Sequence, residues 1–291
     1  MNIYSCVDSK NIDKIIVLFK SCYRNSSEKD KLKFYLLVDK LNDSIEIPSE
    51  LKLEIRPLDF NFLKEDGWLE INNEFSKYFY KQGAKCNHIM NFSRFFIFEH
   101  FPEIKTALYL DWDMIVQDDI FKLYSNYKSC NDNNTFIVSE SKKWKNIATN
   151  ILNYDEIIGK NLNVNSIKLI NQQINSMWLN SVIKYQNKIN EISPFNINLN
   201  EKTFNAGFNI VNNNIFNLVS LKKLIVSLIE IQKKYCCFRF GTQVIMNLLT
   251  SNIEFVESKW NNSDYSSSII HWSGPNKPWD TNDEIWLKYN N

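Results

Sequence analysis

Apolar positions fall into short runs whose period switches repeatedly between two and about 3.6 residues. Asn-Ile-Tyr-Ser-Cys-Val at residues 2–7 reads as a buried first strand. Ile12, Ile15, Ile16 and Phe19 then mark one face of a helix. Lys33 to Val38 predicts a second strand and Leu51 to Leu58 a third, while Phe136-Ile137-Val138-Ser139 predicts a later core strand. Leu218 to Ile231 and Gln243 to Leu249 have helical periodicity. Asn91 to Phe101 is densely aromatic, with Phe92, Phe95, Phe96 and Phe98 at near-helical spacing and Arg94 as its one cation; the phenylalanines read as core, and the guanidinium needs anions or hydroxyls to meet. Strands separated by helices imply an α/β fold with a doubly wound, Rossmann-like and mostly parallel sheet, in which ligands gather at the carboxyl ends of the strands. The 291 residues suit a single domain over 1–291. Residues 140–203, polar and rich in Asn, read as an insertion within it, with Trp144, Trp178 and Phe195 scattered through.

One apolar run carries chemistry of its own. Thr106-Ala107-Leu108-Tyr109-Leu110-Asp111-Trp112-Asp113-Met114-Ile115-Val116 delivers two carboxylates one residue apart and then turns apolar again. In extended chain such residues point the same way, so Asp111 and Asp113 converge beyond a buried strand. Two carboxylates held that close repel unless a cation lies between them, and a hard divalent metal is the natural partner. Asp8, at the end of the first strand, is expected nearby, with Asp8 or Ser9 capping the helix that follows. Asp118 is the expected cap of a short helix after the acidic pair.

Charge and composition narrow the classes. Lys plus Arg (34) nearly balance Asp plus Glu (33), so nothing points to nucleic acid as the main partner. No apolar run is long enough to span a membrane, and the first residues form a strand rather than a leader. The chain therefore reads as cytoplasmic. Cys6 and Cys22 lie in apolar segments and Cys236-Cys237 are adjacent, which fits bystander thiols better than a disulfide framework or metal finger. Abundant Asn, Ile and Lys with only six Gly and six Pro points to AT-rich coding, as in an AT-rich bacterium or a large DNA virus. Asn131-Asp132-Asn133-Asn134 and Asn212-Asn213-Asn214 read as turns or caps.

Two further segments complete a pattern. Phe204-Asn205-Ala206-Gly207-Phe208-Asn209-Ile210-Val211-Asn212 sets a small-residue step inside an apolar strand. Ile269-Ile270-His271-Trp272-Ser273-Gly274-Pro275-Asn276-Lys277-Pro278-Trp279 ends another strand in a histidine, a glycine turn and a lysine between prolines. In this order, over nearly the whole chain, these segments and the Asp-Trp-Asp run resemble the family 8 retaining glycosyltransferases, which include lipopolysaccharide glucosyl- and galactosyltransferases and the glycogenins. The resemblance implies a GT-A fold and a UDP-sugar donor, glucose or galactose, with Mn²⁺ favoured over Mg²⁺. It implies Asp111, Asp113 and His271 as metal ligands, with Lys277 and the Gly274 turn on the diphosphate. It places Val7, Asp8, Asn11 and Trp112 at the nucleotide, and Arg94, Asn205, Ala206, Gly207, Thr242 and Gln243 at the sugar. Arg94, Thr242 and Gln243 are the catalytic candidates. The acceptor is a glycan or lipid-linked saccharide, and homodimerisation is a habit of the family.

Two positions depart from that pattern. Many relatives stack an aromatic on the base where this chain has Asn11, which weakens the case for uridine. Relatives carry Asp-Gln where this chain has Thr242-Gln243, and losing one charge-assisted contact costs about 1.5–3 kcal/mol, or roughly one to two decades in rate if felt at the transition state. Gln243 is a poor nucleophile, which favours front-face substitution. Three alternatives stand beside a soluble transferase acting on a separate acceptor. One is self-glycosylation on a tyrosine such as Tyr78, Tyr80, Tyr124 or Tyr127. Another is a non-catalytic nucleotide-sugar or glycan-binding descendant. The third is peripheral membrane contact through Trp286-Leu287-Lys288-Tyr289, which carries no cationic cluster.

Overall fold

A computed structural model describes residues 1–41, 46–79, 88–132, 135–140, 202–235, 238, 241–250 and 252–290. Most of the expected insertion at 140–203, with Trp144, Trp178 and Phe195, lies outside the described residues, as do Tyr80 and Cys236-Cys237. The strands are β1 (Asn2–Val7), β2 (Lys33–Val38), β3 (Leu53–Pro57), β4 (Thr106–Leu110), β5 (Met114–Val116), β6 (Phe136–Glu140), β7 (Phe204–Asn212), β8 (Ile253–Val256) and β9 (Ile269–His271). Among the described residues, seven of them form one sheet in the order β3-β2-β1-β4-β7-β6-β8. β1 to β4 are mutually parallel, β7 runs antiparallel to both β4 and β6, and β8 is parallel to β6. β5 and β9 pair antiparallel in a two-stranded sheet, with Met114 opposite His271. The mostly parallel, doubly wound architecture is the expected one.

Both faces of the sheet are covered, so its central strands are apolar on both sides, whereas the edge strands β3 and β8 carry exposed residues. Tyr4, Tyr35, Leu37, Ala107 and Tyr109 face a layer containing Trp68, Phe75, Phe92, Phe95 and Phe96 and the helix Leu218–Tyr235. Ile3, Phe34, Leu36, Leu108 and Leu110 face the layer of α1 (Ile12–Asn25), where Ile15, Leu18 and Phe19 are fully buried. The chain's last helix, Glu284–Asn290, buries Trp286 and Tyr289 against Val17 of α1 and Ile115 of β5 and leaves Leu287 exposed. Among the described residues no helix is long and apolar enough to cross a membrane.

The strand order reverses between β1 and β4. β1 pairs with β4 only at Ile3–Leu108 and Tyr4–Tyr109; beyond these, the Ser5 hydroxyl donates to the Leu110 carbonyl at 2.7 Å. A crevice at the carboxyl ends of strands on either side of such a reversal is where open α/β sheets bind ligands. Asp8 follows β1 there and Asp111 follows β4.

Several local expectations are corrected. Asn91 to Phe101 is not one helix. It breaks into His88–Phe92, a 3₁₀ turn Ser93–Phe96 and Ile97–His100. Ser93 Oγ donates to the Met90 carbonyl at 2.7 Å and Arg94 Nε to the Asn91 carbonyl at 2.9 Å, taking acceptors that a continuous helix would use. The phenylalanines are nonetheless core, with Phe92, Phe95 and Phe96 almost completely buried. Asp119, not Asp118, caps the helix Ile120–Asp132: its Oδ1 accepts from the Phe121 and Lys122 amides, while Asp118 Oδ2 accepts from Ser268 Oγ. That helix ends on Asn131 and Asp132, in a run read from the sequence as turns or caps, and Asn133-Asn134 lie outside the described residues. The segment after β1 has no side-chain cap from Asp8. Its Ser9 amide instead donates 2.6 Å to Asp39 Oδ1, an acid at the end of β2. Asn212 Oδ1 does turn the chain, accepting from the Asn214 and Ile215 amides.

Phe96 packs edge-on to Trp68 with ring centroids 5.1 Å apart and is fully buried. Phe96→Ala is expected to lower unfolding free energy by about 3–5 kcal/mol in urea titrations, with an unchanged slope.

Candidate metal and donor site

β4 ends at Leu110 and β5 begins at Met114, so Asp111, Trp112 and Asp113 form the turn between two sheets. The acids do not meet as neighbours on one extended strand, the geometry expected from their spacing. They meet because the turn brings both to His271 at the end of β9. His271 Nε2 lies 3.3 Å from Asp113 Oδ1 and 3.8 Å from Asp111 Oδ2. Ligand atoms of all three residues lie within 4.8 Å of one another.

Each carboxylate divides its oxygens between the protein and this shared centre. Asp111 Oδ1 accepts from the Tyr109 hydroxyl at 2.6 Å and from Arg94 Nη2 at 3.3 Å, while Oδ2 faces His271. Asp113 Oδ2 accepts from Lys277 Nζ, while Oδ1 faces His271. Burial alone would raise the Asp113 carboxyl, but the His271 imidazole and the Lys277 ammonium outweigh it and hold its pKa at about 2. Burial, more than Asp111, pushes the Tyr109 hydroxyl well above its usual range, so it stays a donor.

β7 makes the gathering possible. The Asp111 amide donates to the Gly207 carbonyl at 2.9 Å. A Cβ on Gly207 would stand 2.6 Å from His271 Cε1 and 2.7 Å from Asp111 Oδ2. No side chain fits behind His271 and Asp111, which is the close-approach role of a strand glycine.

The donor set fits a divalent ion. Two carboxylate oxygens and an imidazole nitrogen converge, and oxygen-rich ligation with one nitrogen suits Mn²⁺ better than a soft metal. The Lys277 loop lies against the same turn. Lys277 Nζ also donates to the Trp272 carbonyl at 2.8 Å, and Trp112 stacks on Trp279 with centroids 4.6 Å apart. Gly274 sits on the exposed side of this loop, where an added Cβ would meet nothing within 4 Å.

The other candidates group in two places. Arg94 is 5% exposed, and its guanidinium is directed at protein acceptors: the Asn91 side chain, the Ala206 carbonyl at 3.0 Å and Asp111. It also lies over the Tyr109 ring, 4.4 Å from the centroid. The anion that Arg94 meets is therefore Asp111, and Arg94 positions that carboxylate. Thr242 is 3% exposed and donates to Asn91 Oδ1 at 3.1 Å. Gln243, one residue on in the helix Thr242–Leu248, is half-buried and accepts from Asn205 Nδ2 at 3.4 Å. Val7 is buried in the α1 layer, while Asp8 and Asn11 are half-buried beyond β1.

Four residues of this environment were missed in the sequence: Tyr109, Asn91, Asp39 and Asn261. Tyr109 was legible in principle, since it lies on β4 two residues before Asp111. Asn261, whose Oδ1 lies 2.7 Å from His271 Nδ1, was hidden in a chain where asparagine is everywhere.

The model of glycosyl transferase family 8 matches residues 2–283. No curated protein sequence matches the chain. Among solved structures, the galactosyltransferase LgtC bound to donor and acceptor sugar analogues superposes with a TM-score of 0.64 at 16% identity, covering 100% of this chain and 95% of that one. The bifunctional glycosyltransferase WbbM gives 0.58 at 16% identity over 99% of this chain and 49% of its own. Mouse xyloside xylosyltransferase 1 gives 0.52 at 12% identity over 94% and 97%. At these identities the likeness establishes the shared fold.

Gly207→Ala is expected to force His271 and Asp111 apart and to lower unfolding free energy by about 1–3 kcal/mol through overpacking. Thermal and urea unfolding would check this, with Ala206→Gly as a control at a position without that contact.

Proposed function

Because the chain belongs to glycosyl transferase family 8, we propose that it moves a hexose, glucose or galactose, from a UDP-sugar to a hydroxyl of a glycan or lipid-linked saccharide with retention at the anomeric carbon. The observation carrying this reading is the convergence of Asp111, Asp113 and His271 on one small volume, with Lys277 at its edge. These residues would hold Mn²⁺, or less well Mg²⁺, together with the donor diphosphate. When bound, the ion would act as a Lewis acid on the departing UDP.

The chain's own groups then have distinct tasks. Lys277, a mobile point charge on an open loop, exchanges its Asp113 contact for a diphosphate oxygen. Arg94 and Tyr109 hold Asp111 so that only Oδ2 turns inward. Asp8 and the Val7 backbone read the base edge, and Asn11 offers hydrogen bonds where a ring would stack. Asn205, Ala206 and Gly207 line the sugar side. Gln243 Oε1 presents a carbonyl dipole toward positive charge developing at the anomeric carbon. The Thr242 hydroxyl already donates to Asn91, so toward a sugar hydroxyl it can only accept. The acceptor oxygen forms its bond to the anomeric carbon on the face from which UDP leaves, and the leaving phosphate takes the acceptor proton. Transfer to a separate acceptor is favoured over self-glycosylation, since Tyr124 is buried and Tyr78 and Tyr127 pack partly buried against the core.

Isothermal titration tests this reading. UDP is expected to bind in Mn²⁺ and to lose at least about 100-fold in affinity in Asp113→Ala or in EDTA, while Lys277→Ala costs roughly 10–100-fold. Equal UDP affinity with and without Mn²⁺ would contradict it.

A further inference from the structure

His271 turns Nε2 to the carboxylates and Nδ1 to Asn261 Oδ1. That Nδ1 carries a proton follows by elimination. The Gly207 amide can only donate, so the Asn205 atom it meets at 2.9 Å is Oδ1. That oxygen and the Asn205 backbone carbonyl can only accept. The Asn261 atom lying 3.3 and 3.4 Å from them is therefore its amide nitrogen. The Asn261 amide is thus turned with Oδ1 toward His271, and an oxygen 2.7 Å from Nδ1 requires an N–H there. With Nδ1–H held by Asn261, Nε2 is the atom turned to the centre shared by Asp111 and Asp113, where a proton or a cation relieves the crowding of acceptors and a cation would take the Nε2 lone pair.

We infer that Asn261 is a positioning residue that locks His271 in its metal-binding tautomer and, through the same amide, couples the metal centre to the sugar side. The second link runs through Asn205, whose Nδ2 donates to Gln243 Oε1. Two amides in series, Asn261 and Asn205, thus connect His271 to the residue proposed at the anomeric carbon. Asn261 can do this because it follows the turn Ser258–Trp260 and precedes Asn262, whose amide and carbonyl bond Ile269 and His271 along β9. The inference rests on the proposed metal-dependent transfer, and it predicts that weakening this amide affects metal affinity and sugar recognition separably. Oriented partners behind metal-bound histidines typically change metal affinity by roughly 10–100-fold when removed.

Two variants separate the links. Asn261→Ala removes both. Asn261→Asp keeps an oxygen to accept from Nδ1–H and loses the donor to Asn205. The chain has only three histidines, so ¹⁵N-histidine NMR of the metal-free protein, at a pH where the ring is neutral, reads the His271 tautomer directly once His271→Gln assigns it. The wild type is expected to be Nδ1–H, Asn261→Asp to stay so, and Asn261→Ala to redistribute between tautomers. Mn²⁺ affinity by electron paramagnetic resonance is expected to fall roughly 10–100-fold in Asn261→Ala and to stay within about threefold in Asn261→Asp. In Asn261→Asp the advantage of UDP-hexose over UDP should shrink by about fivefold. An unchanged tautomer and Mn²⁺ affinity in Asn261→Ala would overturn the inference, as would an Asn261→Asp that loses metal like Asn261→Ala. A wild type that takes up no divalent ion would instead overturn the metal reading, while the tautomer measurement still decides the role of Asn261.

Discussion

Two carboxylates and an imidazole share a volume that a single methyl group on β7 would disrupt, and much of the surrounding structure answers to that crowding. Gly207 gives the backbone its close approach. Tyr109 and Arg94 then hold one oxygen of Asp111, Lys277 holds one oxygen of Asp113, and Asn261 holds the far nitrogen of His271. Every outward-facing polar atom of the triad is thereby partnered, and the inward-facing atoms are left to one another. Inward acceptors at 3.3–3.8 Å repel unless a proton or a cation lies between them.

The fold supplies this crowding at a place suited to a ligand. The reversal of strand order between β1 and β4 opens the sheet beside Asp111, and the antiparallel β7 brings Gly207 alongside from the other direction. β9 and β5 form a separate short sheet, so His271 and the Asp-Trp-Asp turn are set by their own ladder rather than by the main one. Arg94 shows what the site demands of distant sequence. Its helix gives way to a 3₁₀ turn, and its guanidinium, buried among phenylalanines, bonds Asn91, Ala206 and Asp111 at once.

Features governed by local periodicity were legible in the chain. β1, β2, β6 and β7, α1 and the helix Leu218–Tyr235 lie where the apolar spacing puts them, and the Asp111–Asp113–His271 grouping follows from motifs that announce their chemistry. Harder to read was whatever depends on a partner far along the chain. Asp39 was passed over because its bond to the Ser9 amide exists only once β1 and β2 lie side by side. Asp118 and Asp119 are adjacent acids, and only the contact of Asp118 with Ser268 decides which is left to cap the helix. Arg94 reads as needing an anion or hydroxyls, yet nothing local could say that Asp111 is what it meets. Asn261 sits in a composition so rich in asparagine that no pattern distinguishes it.

Thr242 and Asn91 show how a departure from the family pattern is absorbed. A hydroxyl replaces the expected carboxylate, and Asn91 Oδ1 accepts from both Thr242 and Arg94, keeping the guanidinium partnered without a second acid. This part of the site is thereby less negative, while Asp111, Asp113 and His271 still converge. The central claim is that the inward atoms of Asp111, Asp113 and His271 form one cation site. Anomalous diffraction from a crystal grown with Mn²⁺ and UDP tests it most directly. The account predicts a single manganese peak bounded by Asp111 Oδ2, Asp113 Oδ1 and His271 Nε2, with Lys277 moved from Asp113 onto a phosphate oxygen. Bound UDP without manganese at that position, or His271 rotated away from the carboxylates, would contradict it.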